Sequence, residues 1–439
     1  MEKTVSIIGG GLAGCECALF LADHGVKVKL YEIKPIKYTP AHHSESLAEL
    51  VCSNSLKSND IYGNACGLLK EEMRILGSSL IKIADQTKVP AGNALAVNRE
   101  EFSTRVTNLV KSNTNIEVIA KEVTSLDDFD GHLVVATGPL TTDDLAKSIF
   151  AVTGQKMFFF DAAAPIISAD SIDMESAFVG DRWDKGNGDH INCPMNKEEY
   201  EKFLTELLSA NRAEQKDFEN SSVFEGCMPV EVMASRGVDT LRFGPLKPAG
   251  LTDPKTGRWP YACLQLRRED KDGQMYNLVG FQTNLLWGEQ KRVFGLIPAL
   301  KNAEYYRYGV MHKNSYIRSP GILSADFSLI KNDKIFFAGQ ITGVEGYVES
   351  MASGLLVAIN ILLHFANKPS LELDNTTVLG ALSNYIATPS PDFQPMNANF
   401  GILKNIEMVK KDKALKKRLQ AERSLEVVKE IKKYLDETI

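Results

Sequence analysis

Apolar positions along the first thirty-two residues follow two different periods. Val5-Ser6-Ile7-Ile8 is a short apolar run of the kind buried in a parallel sheet, and Val26-Lys27-Val28-Lys29-Leu30-Tyr31 repeats it with polar residues interleaved. Between the two, apolar residues from Leu12 to Leu21 recur with helical spacing, and Gly9, Gly10, Gly11 and Gly14 mark the turn that precedes them. The pattern predicts strand, turn, helix and strand. Two later runs end in the same way. Gly131 to Pro139 is a buried strand closing on Ala136-Thr137-Gly138, and Lys334 to Gln340 closes on Ala338-Gly339-Gln340. The second leads through Ile341 to Tyr347, including Gly343 and Gly346, into a small-residue helix with Ser350, Ala352, Ser353 and Gly354.

The first turn has the spacing of a dinucleotide fingerprint. Gly9 permits the tight turn, Gly11 lets the backbone approach a pyrophosphate, and Gly14 lets helix and strand pack closely, with the phosphate charge at the helix N-terminus. Leu12 and Ala13 complete the turn, and Glu32 ends the second strand where it can bind a ribose. Three glycine-ended strands in this order, the last feeding a helix aimed at a flavin ring, favour FAD over NAD as the resident nucleotide. The expected class is α/β, a two-dinucleotide-binding, Rossmann-like FAD domain with a large inserted α+β substrate domain. Nearly two hundred residues separate the second and third strand ends, with a strand-like run from Gln274 to Gln282, a helix near Glu198 to Ala210, and loops from Gly244 to Gly257. The expected division is 1–165, 166–320 and 321–439.

Composition is that of an ordinary globular protein, and the net charge of −6 gives no general argument for nucleic acid. The distribution changes that picture. From Leu403 to Ile439 there are eleven basic and seven acidic residues, a surplus of four that leaves −10 on the rest. Such a basic helical tail could contact phosphates, or could simply be a solvated amphipathic helix with i,i+4 pairs. Glu2 ahead of the first apolar run argues against a secretory signal, and the run from Leu355 to Phe365 reads as too short to span a bilayer. Seven cysteines without a repeated spacing suit a reducing cytoplasm. No His/Cys cluster has metal-ligand spacing, so no metal is expected.

Cys15, Cys17, Cys193 and Cys263 read as packing residues, and Cys66 as a cap or packing group for the helix that follows it. Cys52 and Cys227 differ. Cys52 is followed at once by Ser53, Asn54, Ser55 and Lys57, and Cys227 lies in a Gly226-to-Pro229 bend. Exposed thiols near cations can become nucleophiles, although an inert loop cysteine is as good a reading for either alone. His42 and His43 lie in a loop that could face the nucleotide. Arg242, Lys247, Arg258, Arg267 and Arg268, with Trp259 and Tyr261 among them, suit stacking on unpaired bases, or a charged loop over an apolar floor.

Taken together, Thr39 to His43, Ala48 to Leu56, Leu68 to Arg74, Phe224 to Glu231, Val279 to Thr283, Phe337 to Ser350 and Phe393 to Gly401 closely resemble the folate- and FAD-dependent tRNA (uracil-5-)-methyltransferase family along essentially the whole chain. The resemblance implies that a thiolate, Cys227, adds to uracil C6, and that C5 then attacks a carbon delivered from 5,10-methylenetetrahydrofolate by reduced FAD. NADH or NADPH recharges the flavin. Cys52 matches the family's second functional cysteine, as proton acceptor at C5 or manager of the flavin-carbon adduct. His43, His42 and Tyr347 are the candidates for stacking on the pterin, and Arg258 and Arg267 for gripping folate or RNA. The uridine would be extruded from a tRNA T loop. The expected partners are RNA and folate, with neither DNA nor membrane. Asn93, Lys57 and Asn284 depart from the family pattern, which keeps open a paralogue acting on 23S rRNA. A small-molecule flavin oxidoreductase is the alternative of another class.

Overall fold

This computed structural model describes residues 3–39, 41–154, 156–162, 164–184, 188–213, 228–269, 273–309, 311–390, 393–406 and 412–439. The predicted opening forms as strand β1 (Thr4–Ile8), helix α1 (Leu12–Asp23) and strand β2 (Lys27–Glu32). β1 is the centre of a six-stranded sheet, pairing in parallel with β2 on one side and with His132–Val135 on the other. Asn332–Phe337 continues the parallel sheet beyond His132–Val135, and Ile116–Ala120 continues it beyond β2. The three glycine-ended strands are therefore adjacent, with their carboxyl ends together. In an open parallel sheet, ligands bind in the crevice outside those ends.

Helix α1 packs against the long helix Tyr347–Phe365. That helix begins eight residues before the apolar run noted in the sequence, because Tyr347 to Gly354 continue its buried stripe. At 19 residues it is long and apolar enough to cross a membrane by length and composition, which corrects the reading that it is too short. It is instead a core helix, 83% buried.

A second, antiparallel sheet lies between Ile166 and Arg307, in the order Phe178–Val179, His190–Met195, Ala262–Arg268, Met275–Leu278, Ile166–Ser168 and Tyr305–Arg307. Helix Lys197–Ser209, with an Asn196/Glu199 capping box, lends Tyr200, Phe203 and Leu207 to its separate core. The chain enters and leaves this region through an antiparallel ribbon of Lys156–Ala162 with Met311–Ile317.

Helix α2 (Ala65–Leu76) shows how the C-terminal tail is used. Asn64 caps it by accepting from the Cys66 amide at 2.9 Å, so Cys66 packs rather than caps. Buried Glu72 on α2 accepts from the amides of Val378 and Leu379, at 2.7 and 2.9 Å, and from the Ser424 hydroxyl at 2.5 Å. Ser424 belongs to the final helix Lys413–Thr438, which buries Ala421, Val428 and Leu435 while pairing Arg418 with Glu422 and Lys432 with Asp436 at i,i+4. Replacing Glu72 with Ala strands two buried amides. The expected result is a loss of roughly 2–6 kcal/mol, at about 1–3 kcal/mol per unsatisfied group, read as a lower first transition in urea. An unchanged midpoint would contradict this anchoring.

Candidate active site

The turn after β1 is set by backbone geometry. Gly9 has φ +105°, and a Cβ there would lie 2.5 Å from the Ala136 carbonyl oxygen; one on Gly14 would lie 1.9 Å from the Gly9 carbonyl. A Cβ on Gly11 would meet nothing within 4 Å. Gly11 is the α1 N-cap and gives no side-chain hydrogen bond, so the amides of the first turn remain available to a ligand. Glu32 is buried, its carboxylate accepting from the Gly10 amide at 2.7 Å and the Lys34 amide at 3.0 Å.

These groups line a cleft of about 1170 Å³, its open mouth included. Gly9, Gly10, Gly11, Leu12, Ala13, Glu32, Ala136, Thr137, Gly138, Gly339, Gln340 and Tyr347 all line it, and Gly14 lies behind the turn. Gly343 and Gly346 do not line it. Gly343 lies against the Phe393 ring, and Gly346 against Glu349 and Lys57. Thr39, Glu49, Val51 and Ser350, from the segments that carry the family resemblance, line the cleft as well, and Lys34, Lys121 and Val123 line it without having stood out in the sequence. They come from the ends of other elements, and no local pattern marks them. An open glycine turn at a helix N-terminus, a buried acid in the lining and three converging strand ends fit FAD.

Cys52 follows Val51 of the cleft lining on a loop held by four side chains. Tyr347, the first residue of helix Tyr347–Phe365, accepts at its hydroxyl from the amides of Cys52 and Ser53, at 2.6 and 3.1 Å. The ring lines the cleft while burial of the hydroxyl pushes its pKa well above the usual tyrosine value. Arg99 donates to the carbonyls of Leu50 at 3.0 Å and Cys52 at 3.4 Å, and is bridged to buried Glu269 at 2.7 Å. Arg307 donates to the Val51 carbonyl. Arg267 donates to Asn54 at 3.1 Å and to the Ser53 hydroxyl at 2.7 Å. Burial draws the pKa of both Arg267 and Arg307 below the usual guanidinium value. Three guanidiniums thus gather around Cys52, with Glu269 as the carboxylate among them.

The described cysteines divide by environment. Cys15, Cys17, Cys66, Cys193 and Cys263 are buried, and burial raises each thiol, Cys66 to about 11 and Cys263 to about 12. Such thiols are inert at neutral pH. Cys52 is partly exposed. Cys227 lies outside the described residues, but the two flanks of its segment are fixed by one residue. Asn284 exchanges hydrogen bonds with Ala213, at 2.9 and 3.2 Å, and its amide donates to Glu231 at 2.7 Å. Lys57, another departure from the family pattern, pairs with buried Glu349 at 2.9 Å.

The remaining candidates are spread out. His42 lines the cleft, its Nδ1 2.6 Å from the Thr39 hydroxyl, and burial lowers its pKa. His43 is exposed and outside the cleft lining, and its amide donates to Glu49 at 2.9 Å. Arg258 is exposed on a loop away from the cleft lining. Among the described residues no group of His, Cys, Asp and Glu could hold a metal ion.

Residues 4–369 match the family model described as glucose inhibited division protein A. The chain is 56% identical to methylenetetrahydrofolate--tRNA-(uracil-5-)-methyltransferase TrmFO of Acetivibrio thermocellus over 437 residues, 99% of this chain and 100% of that protein. It is 53% identical to the protein of the same name from Caldicellulosiruptor bescii over 430 residues, 97% and 98% of the two chains. The structure of Aquifex aeolicus GidA superposes with a TM-score of 0.72 at 16% identity, covering 99% of this chain and 73% of that one, which is a likeness of fold. The family model spans most of the sequence and these relatives match nearly its whole length, so the chain belongs to the glucose inhibited division protein A family and, within it, to the methylenetetrahydrofolate--tRNA-(uracil-5-)-methyltransferases.

Proposed function

We propose that this protein methylates C5 of a uridine in tRNA, taking carbon from 5,10-methylenetetrahydrofolate and electrons from NADH or NADPH, in the cytoplasm. The observation that carries this reading is the junction at Cys52: a partly exposed cysteine, on a loop tied to the cleft wall through Tyr347 and to the second sheet through Arg267 and Arg307. A small-molecule flavin oxidoreductase has no need of that junction. The chain is read as an FAD-binding domain formed by 1–165 and 321–439, with 166–320 inserted as the substrate domain.

The open first turn of α1, with Gly9 to Ala13, would hold the pyrophosphate of FAD, and Glu32 the ribose; Gly339, Gln340 and Tyr347 would flank the ring end. When bound there, FAD supplies a carrier for a one-carbon unit and a source of hydride. Uracil C5 is a poor nucleophile until a thiolate adds at C6. The Cys227 sulfur is assigned that step on the match of Phe224 to Glu231 with the family pattern. Its bond to C6 forms, C5 takes the carbon and gives up its proton, and the bond to C6 then breaks, leaving an exocyclic methylene on C5 that becomes the methyl group on gaining a hydride. Cys52 is assigned the proton at C5, and Tyr347 the pterin face. Arg99 and Arg307 act through the loop carbonyls and are positioning residues.

Purified protein incubated with labelled methylenetetrahydrofolate, NADPH and separate tRNA and 23S rRNA transcripts is expected to yield labelled 5-methyluridine in tRNA. Label confined to rRNA would redirect the substrate, and absence from every transcript would refute the reading. Gly11→Val places a branched side chain in the open space of the phosphate turn and is expected to leave the purified protein nearly free of flavin absorbance. Full flavin content in that variant would show the pyrophosphate to be elsewhere.

A further inference from the structure

Outside the cleft, two large aromatic side chains stand out on the second sheet and its loops. Trp183 and Trp259 are 59% and 50% exposed, and their rings meet edge to face, with centroids 5.4 Å apart at 85°. One indole meets the face of the other with its edge, and Gly250 lies against the Trp183 ring, so the exposed surface of each ring is on the side turned away from these contacts. Trp183 also has φ +60°, a left-handed backbone that is rare for a bulky residue, and its amide donates to the Gly250 carbonyl at 2.8 Å. The adjacent Arg182 is fixed by Gln265 at 2.8 Å and the Ala249 carbonyl at 2.7 Å. An exposed indole is thus held on a rigid base.

Charge says what such a surface would meet. Residues 242–268 contain six cations, Arg242, Lys247, Lys255, Arg258, Arg267 and Arg268, against the single acid Asp253, in a chain whose net charge is −6. Lys247 and Arg258 are exposed and have no carboxylate partner among the described residues. The surface also connects to the candidate site. Gln265, which holds Arg182, and Arg267, which holds Ser53 and Asn54 beside Cys52, are two residues apart on strand Ala262–Arg268 and so share a face, a step of about 7 Å.

We propose that Trp183 and Trp259 form a stacking platform for unpaired nucleotides of the RNA next to the target uridine, with Lys247 and Arg258 meeting the phosphates. This rests on the RNA-methylating function. Every base presents a π face to an indole, and cations at the rim add a salt-dependent backbone term.

The chain has three tryptophans, so a Trp287→Phe protein reports on this pair alone. Its emission is expected to be quenched on titration with tRNA and restored by salt. No quenching, equal quenching by a blunt RNA duplex, or quenching by anionic vesicles but not by RNA would each overturn the platform. In the otherwise wild-type chain, Trp183→Ala combined with Trp259→Ala is expected to raise KM for tRNA about 5- to 150-fold, equivalent to about 1–3 kcal/mol for a stacked base, with kcat, FAD content and flavin reduction by NADPH unchanged. Unchanged KM, or lost FAD, would contradict it, and Trp259→Phe alone is expected to keep KM near wild type. Wild-type enzyme that forms 5-methyluridine while the pair is insensitive to RNA refutes the platform alone; wild-type enzyme that forms none refutes the parent reading.

Discussion

The organisation of the site depends on how the backbone from Leu50 to Asn54 is satisfied. Three carbonyls and two amides of this loop are bound by side chains far away in sequence: the Tyr347 hydroxyl, the guanidiniums of Arg99 and Arg307, and the Ser53 and Asn54 contacts of Arg267. Leaving any of these polar groups without a partner away from water costs about 1–3 kcal/mol, so the loop has little freedom to settle elsewhere. Cys52 is thereby fixed where the nucleotide cleft meets the second sheet. A flavin cleft acquires a thiol neighbour through ordinary hydrogen bonding.

The same contacts concentrate positive charge. Glu269 offsets Arg99, whereas Arg267 and Arg307 reach the loop through neutral oxygens. A polyanionic substrate suits that surplus, and the cation-rich residues 242–268 extend it along the second sheet. The basic C-terminal helix is anchored to α2 through Ser424 and Glu72, and Arg418 and Lys432 on it pair with Glu422 and Asp436.

Legibility in the sequence followed the range of the interactions. The phosphate turn could be read because its glycines are closely spaced and Gly14 packs on Gly9 five residues away, and the parallel sheet because three of its strands, β1, His132–Val135 and Asn332–Phe337, run into a glycine. Gly343 and Gly346 carry the same residue type but face Phe393 and the Lys57–Glu349 pair, and nothing local separates those cases. His43 heads the pterin candidates that the resemblance implies; in the structure its backbone amide donates to Glu49 and its side chain is exposed. The anchoring of Cys52 by Tyr347 spans 295 residues and was beyond any pattern or spacing. Asn284 looked like a departure from type, whereas its contacts with Ala213 and Glu231 give it a structural task.

The proposed methylation turns on covalent chemistry between Cys227 and the pyrimidine. Its most direct measurement is the mass of the protein after incubation, under turnover conditions, with tRNA carrying 5-fluorouridine, whose C5 fluorine cannot leave as a proton does. Wild-type enzyme is expected to accumulate a protein–RNA adduct, and Cys227→Ala, with its FAD retained, to form none. An undiminished adduct in that variant would contradict the assignment.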